Sequence, residues 1–329
     1  MFELIDTLTQ TFGPSGYEKK VAGTIADLLK GKVDEIRSDA LGNLICVKKG
    51  SGKKIMLAAH MDEIGIIVSY IDDKGFLRFG NIGGIPPLMI LGQRVVFENG
   101  TTGVIWYEED IDNMKNTKLD KMYIDIGANS RTDAEKLVKV GDLAVFVGET
   151  VEQNGRIISK ALDDRIGCAV LVQLALSRPQ TDNEIYYVFT AQEEVGLRGA
   201  KTAAFGIIPD MALAIDVCDT GDTPSCKPMA VRLGEGPAVK IKDHSVIAHP
   251  KVKDRLINAA KEKNIPYQLE VMLAGGTDAG SIHTTAGGIP SGGVSIPTRY
   301  IHDASEMVDI ADVENAVKLL AEFVKEMVH

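Results

Sequence analysis

Two adjacent glutamates, Glu193 and Glu194, directly follow an apolar run from Ile185 to Phe189. Such a run is typical of a buried strand. Ligands of open α/β sheets bind beyond the carboxyl ends of the strands, so both glutamates are expected at the mouth of a crevice. Neighbouring side chains on extended backbone point to opposite sides, so the two carboxylates can do different jobs. One can ligate a metal ion while the other accepts a proton as a general base.

Four other stretches place His or Asp at or near the ends of apolar runs. They are His60 to Glu63, Ala161 to Asp164, Ile215 to Val217 and Tyr300 to Asp303. A lone histidine or a lone Glu-Glu pair is more often an ordinary core or surface feature. Two metal ions that share one carboxylate need five ligands, and these stretches supply two histidines and three carboxylates. The combined pattern therefore predicts a dinuclear metal site.

Asp62 lies two residues after His60 and so falls on the same side of an extended chain. It could hold the second nitrogen of the imidazole and orient the ring. The other histidines have no such pattern of partners and are interpreted as ordinary surface or turn residues: His244, His249, His283 and His329.

The elements that must position these residues follow from hydrophobic periodicity. Helices are predicted at 1–12, 16–29, 165–176 and 312–328, and strands at 33–38, 43–48, 54–59 and 185–189. Between about 64 and 158 the pattern changes to short β runs separated by Gly, Pro, Asn and Asp, with strands predicted at 66–70, 93–97, 103–106 and 143–147. This middle part is interpreted as a small β domain inserted into one α/β domain.

Composition limits the possible partners. The chain has 329 residues, of which 45% are hydrophobic and 25% charged, and its net charge is −10. No basic stripe indicates a nucleic-acid partner, and no apolar run is long enough to span a membrane. The N-terminus shows no signal-peptide pattern, and the four cysteines have no Cys-x-x-Cys spacing. A cytoplasmic protein with reduced thiols is expected.

The motifs resemble one family closely. His60 to Gly65, Ala161 to Gly167, Ala191 to Gly196, Ala214 to Val217 and Arg299 to His302 resemble the M42 family of dinuclear metallo-aminopeptidases, in register from the first helix to the last. The resemblance implies an α/β fold with a mixed-sheet metallo-exopeptidase domain flanked by helices, formed by residues 1–65 and 159–329. It also implies an inserted β-barrel-like domain at 66–158 that serves oligomerisation and substrate access.

The resemblance also implies roles for individual residues. His60 and Asp216 would complete one metal site, Glu194 and His302 the other, and Asp163 would bridge the two ions. Glu193 would be the general base and Asp62 would orient His60. The ions would be Zn, Co or Mn, the stretch Ala274 to Gly280 would line the substrate cleft, and the Asp163–Asp164 peptide bond would be cis.

The function implied is removal of N-terminal residues from peptides by a homo-oligomer, a dimer that builds a tetrahedral dodecamer. The apolar run Ile85 to Leu91 is a candidate for the partner surface. A dinuclear deacylase or dipeptidase of related fold is the main alternative. A glycoside hydrolase, the endoglucanase label of some relatives, leaves the His60 and His302 stretches unexplained. A binding protein without catalysis would need neither a base nor five ligands.

Overall fold

The computed structural model describes residues 1–109 and 117–325. Its helices are α1 (Phe2–Gln10), α2 (Lys19–Leu29), α3 (Arg131–Glu135), α4 (Leu162–Ser177), α5 (Arg198–Ile207), α6 (Pro250–Glu262), α7 (Ala279–Ile282) and α8 (Ile310–Phe323). Its first nine strands are β1 (Glu35–Ser38), β2 (Leu44–Lys48), β3 (Lys54–His60), β4 (Gly65–Ile71), β5 (Leu77–Ile82), β6 (Arg94–Phe97), β7 (Thr102–Tyr107), β8 (Met122–Asp125) and β9 (Leu143–Phe146). The others are β10 (Val151–Gln153), β11 (Arg156–Ser159), β12 (Glu184–Thr190), β13 (Met211–Cys218), β14 (Ala238–Lys242), β15 (Gln268–Val271), β16 (Ser291–Arg299) and β17 (Glu306–Asp309).

The predicted mixed α/β fold is confirmed. Eleven strands form one mixed sheet in the order β1-β2-β12-β3-β13-β16-β17-β11-β10, with β14 and β15 joined beside β16. The four central strands β12, β3, β13 and β16 run parallel, so their carboxyl ends meet at one edge. The structure therefore has the crevice that the sequence pattern requires.

Apolar residues cover both faces of this sheet. On one face, helices α1, α2, α4, α6 and α8 pack in the large core that contains Ile5, Ile25 and Leu320. On the other face, α5 and α7 cover the sheet through Ala203, Ile207 and Ile282. The alanines of α5 let this helix approach the strands closely, because each adds only a methyl group to the interface.

The inserted segment forms a closed barrel in the order β4-β5-β8-β7-β6-β9, with its own apolar core. Two of its strands, β5 and β8, were not predicted. Strand β5 is interrupted by Gly80 and Asn81, and β8 has only four residues, so neither shows a clear alternating pattern. In the run from Ile85 to Leu91, Ile85 and Ile90 are buried in the barrel core while Leu88 is exposed.

The exact division into domains stays a prediction. Strands β10 and β11, which lie within 66–158 apart from Ser159, hydrogen-bond in the main sheet through β17. At the other end of the chain, α8 begins at Ile310 behind the capping side chain of Asp309, two residues before the predicted start. It ends at Phe323, and residues 326–328 of the predicted helix lie outside the described residues.

One buried cation ties the beginning of the chain to the site. Arg165, in the first turn of α4, is fully buried. Its guanidinium donates to the main-chain oxygens of Met61 at 2.6 Å and Thr11 at 2.9 Å and lies 3.3 Å from the carboxylate of Glu63. Removing one partner of such a buried ion pair costs about 3–5 kcal/mol, because the other charge is left unpaired. Arg165 therefore fixes the stretch after His60 against α4.

Candidate metal centre

The crevice at the carboxyl ends of the parallel strands brings the five predicted ligands together. His60 is the last residue of β3, and Asp216 lies near the end of β13. The two strands pair through Ala58 and Ala214, and each ligand lies two residues beyond that pair, so both lie at one level. Asp163 enters from the start of α4, which packs on the same strands.

Asp163 lies between two groups of ligands. Its Oδ1 is 3.0 Å from Nε2 of His60, and its Oδ2 is 3.3 Å from Nε2 of His302. Glu194 Oε1 is 3.2 Å from the same nitrogen of His302. Two sets of donor atoms result, His60 with Asp163 and Asp216, and Asp163 with Glu194 and His302, and within each set the atoms lie within 4.8 Å of one another. The members of these two sets are the residues that the family resemblance implies, and their role as metal ligands stays a prediction.

The residues present fit divalent cations. Glu194 Oε1 is a buried oxygen that makes no hydrogen bond of good geometry among the described residues, although Nε2 of His302 lies 3.2 Å from it. Buried polar atoms are normally paired, so an unpaired carboxylate oxygen in a cluster of this kind points to an ion. The donor set of imidazoles and carboxylates suits Zn, Co or Mn equally.

The charges of the cluster support the same fit. Burial raises the pKa of Glu194 and of Asp216, and repulsion from Asp163 adds to the shift of both. Burial lowers the pKa of His302, but the carboxylates of Asp163 and Glu194 beside its ring outweigh that effect and raise the pKa to about 12. Without a counter-charge the buried carboxylates of Glu194 and Asp216 thus take up protons more readily than they would in water, and divalent cations bound beside them would favour their ionised forms.

Glu193 lines the same cleft as the ligand sets. Burial raises its pKa well above the ordinary value, and the carboxylates of Asp216, Asp278 and Glu194 raise it further. Asp278 is itself buried and accepts a hydrogen bond from Thr190 at 2.5 Å. A carboxylate in such surroundings is a stronger proton acceptor than one in water.

Asp62 contacts both His60 and the Glu193-Glu194 turn. Nδ1 of His60 is 3.1 Å from the main-chain oxygen of Asp62 and 3.5 Å from its Oδ1. The carboxylate also accepts the main-chain N–H groups of Glu193 at 3.0 Å and Glu194 at 3.1 Å, and the hydroxyl of Ser15 at 2.6 Å. The main-chain oxygen of Asp62 thus lies nearer the ring than its carboxylate does, the carboxylate binds the neighbouring turn, and the orienting role of Asp62 stays a prediction.

Two further carboxylates hold ligands and were not predicted. Glu306 is buried and accepts the main-chain N–H groups of Asp163 at 2.9 Å and His302 at 2.8 Å. Asp164 accepts the N–H of His60 at 3.1 Å, and the peptide bond that joins it to Asp163 is cis, as predicted. The only sequence signals were the Asp-Asp pair itself and the position of Glu306, four residues after His302.

The cleft above the ligands has a volume of about 630 Å³. Its lining includes Ala274, Gly275 and Gly276, from the stretch predicted to lie there. His244 also lines it, although its sequence surroundings indicate only a turn. His249 caps α6 by accepting the N–H of Lys251, His283 bonds to Ala279 within its own helix, and His329 lies outside the described residues.

A mixed sheet that gathers histidines and carboxylates where its parallel strands end, with a barrel inserted, is the arrangement expected of a metal-dependent peptidase. The sequence model of the M42 glutamyl aminopeptidase family matches residues 42–319, and the chain belongs to this family. A protein of Acetivibrio thermocellus, named by inference an aminopeptidase, is 59% identical over 322 residues that cover 98% of both chains.

Solved structures agree with the family assignment. An aminopeptidase of the archaeon Desulfurococcus kamchatkensis is 44% identical with a TM-score of 0.95, covering 98% of this chain and 94% of that one. A TET1 peptidase of Pyrococcus horikoshii, which can assemble into a tetrahedron or a large octahedral shell, is 33% identical with a TM-score of 0.89, covering 98% and 99%. No helix in the described ranges has the length and apolar character needed to cross a membrane.

The hydrogen bonds of Asp62 give a test of its structural role. The carboxylate of Asp62 has two acceptor oxygens, whereas the amide of an asparagine has one. After Asp62→Asn, at least one of the N–H or hydroxyl donors must therefore face the NH2 group of the new side chain. We expect the free energy of unfolding of the metal-free chain to fall by about 1–3 kcal/mol in urea denaturation. The matched control is Asp73→Asn, at a side chain that is 94% exposed, and it should change stability by less than about 0.5 kcal/mol. Equal unfolding midpoints for both variants would contradict this role.

Proposed function

We propose that this chain is an aminopeptidase that binds two divalent cations and removes the N-terminal residue of peptides. The observation that carries the proposal is the position of Asp163. Each of its carboxylate oxygens faces a different histidine, His60 or His302, and it belongs to both three-residue ligand sets. A shared carboxylate between two such sets is what a two-metal hydrolase requires.

The ligand assignment follows from the two sets. His60 and Asp216 would hold one ion, Glu194 and His302 the other, and Asp163 would bridge them. Bound cations would polarise the scissile carbonyl and make a water molecule easier to deprotonate.

Glu193 is the proposed general base. It lines the cleft beside both ligand sets but belongs to neither. It would accept the proton of the attacking water and then donate it to the amine that leaves when the peptide bond breaks. Asp62, through its hydrogen bonds to the main chain of Glu193 and Glu194, would keep the base and the ligand in their separate positions.

We propose an exopeptidase because the N-terminal residue of a peptide substrate carries a free α-amino group. It is a cation near neutral pH, and the cleft floor carries carboxylates that attract it. A blocked N-terminus has no such charge. The same ligand sets would also serve a dinuclear deacylase or dipeptidase, so the test must compare the two kinds of substrate.

The proposal predicts a requirement for both a metal and a free amine. We expect the chelated, metal-free chain to be inactive on aminoacyl anilides and to regain activity with Zn, Co or Mn. The N-acetylated anilides should be hydrolysed at least about 100-fold more slowly, because they lack the ammonium group. Faster release from acetylated substrates would support the deacylase instead.

Substitution of Glu193 and substitution of Glu194 should impair the enzyme in different ways. Glu193→Gln should retain both ions and bind substrate while kcat falls by several orders of magnitude, because the proton acceptor is gone. Glu194→Gln should instead lose metal affinity. Metal analysis of both purified variants distinguishes the roles, and a metal-poor Glu193→Gln beside a metal-replete Glu194→Gln would reverse the assignment.

We also propose that the chain forms a homo-oligomer, in which dimers build a tetrahedral dodecamer. Support comes from the TET1 relative and from exposed apolar side chains on the barrel, among them Leu88, Val104 and Trp106. Light scattering at micromolar concentration should give a mass of twelve subunits, and dimers are the smallest species expected on dilution. A stable, active monomer of 35.4 kDa would contradict assembly.

A further inference from the structure

The cleft has an unusual distribution of charge for a peptide-binding site. Among the described residues that line it, none is a lysine or an arginine. Its titratable lining consists of the two proposed ligand sets, Glu193, Asp219, His244 and the thiol of Cys218. Four lining carboxylates have roles in the proposed centre: Asp163, Glu193, Glu194 and Asp216. Two divalent cations would balance those four charges, which leaves the carboxylate of Asp219 without a fixed counter-ion in the lining.

Asp219 lies close enough to the centre to act on a bound substrate. It follows β13, three residues after Asp216, and it interacts electrostatically with His302 and Asp163. The exposed Lys227 also acts on Asp219, but it is not among the residues that line the cleft. Beyond the proposed metal centre, a side chain bound in the cleft would therefore meet the negative charge of Asp219 and no lysine or arginine of the described lining.

The rest of the wall is largely apolar. Leu197, Val217, Met272 and Ile301 contribute to the lining, and each of them is partly or fully shielded from solvent. Apolar walls favour aliphatic side chains and the methylene stem of a lysine or arginine. A carboxylate pressed against them would lose hydration without gaining a partner.

From this distribution we infer that the cleft selects peptides whose N-terminal side chain is aliphatic or cationic, excludes acidic ones, and owes its preference for cations to Asp219. The inference rests on the proposed aminopeptidase function and adds a substrate class to it. It also separates this chain from the glutamyl specificity in the family's description, since a glutamyl side chain requires a cation that this lining lacks.

The test compares four anilides, those of leucine, lysine, glutamate and aspartate, on the metal-loaded enzyme at pH 8. The leucyl and lysyl compounds should be hydrolysed with kcat/KM at least about 100-fold above the glutamyl and aspartyl ones, as expected for like charges brought together. In Asp219→Asn the ratio of lysyl to leucyl kcat/KM should fall about two- to fivefold, the range of a partly solvated ion pair. Lys201→Gln, which removes an exposed charge on α5 outside the lining and not among the charges that act on Asp219, should leave that ratio unchanged.

A binding measurement separates recognition from turnover. Calorimetry on metal-loaded Glu193→Gln should give tighter binding of leucinamide and lysinamide than of the α-amide of glutamate. The lysinamide preference should weaken when Asp219→Asn is added. His244→Gln should not change the order, because the inference assigns no charge recognition to that side chain.

The outcomes are distinct. Glutamyl anilide cleaved as fast as leucyl anilide, or an unchanged lysyl-to-leucyl ratio in Asp219→Asn, would overturn the inferred specificity and leave the proposed activity standing. No cleavage of any free-amine anilide by the fully loaded enzyme would overturn the proposed function, and the inference with it.

Discussion

The structure depends on hydrogen bonds from the main chain of the ligands to buried carboxylates. Three acidic side chains, Asp62, Asp164 and Glu306, accept N–H groups from five site residues: His60, Asp163, Glu193, Glu194 and His302. The sixth, Asp216, is held by the pairing of β13 with β16. Each ligand backbone is thus fixed independently of what its side chain binds. Charge-assisted hydrogen bonds of this kind are about twice as strong as neutral ones, so the site is preorganised.

Such an arrangement concentrates negative charge in a region with little water. Nearby buried cations offset part of it. Lys160 and Arg165 both pair with Glu63, and Lys240 lies behind Asp216 with Glu270 and Asp243 as its own partners. None of these three cations is among the residues lining the cleft. Under the proposed function, bound ions would supply the positive charge that balances the ligand sets.

The barrel and the main sheet contribute different parts of the cleft. The sheet, the helices on its faces and the loops after its strands supply all the proposed ligands and the proposed base. The barrel leaves the main sheet after His60 and returns before Asp163, and its Gly84 reaches the cleft beside His302. A carbon atom added at Gly84 would lie 3.4 Å from the imidazole, which is an ordinary van der Waals distance, so the barrel is in close contact with the His302 side of the cleft. Substrate access and chemistry consequently meet at one boundary.

The sequence by itself identified the candidates for the ligands and the base, because a strand that ends in His or Glu beyond an apolar run leaves a pattern that can be read without a structure. It also determined the mixed α/β fold and the existence of an inserted β domain. Tertiary structure alone decided the rest. Acceptors such as Glu306 and Asp164 leave no periodic signal, since they bond to the main chain of residues distant in sequence. Strands β5 and β8 were missed because short or Gly-interrupted runs gain their stability from neighbouring strands. The charge of the cleft is likewise a property of the folded chain. It depends on which of the 36 lysines and arginines the fold places in the lining of the cleft and which it places elsewhere.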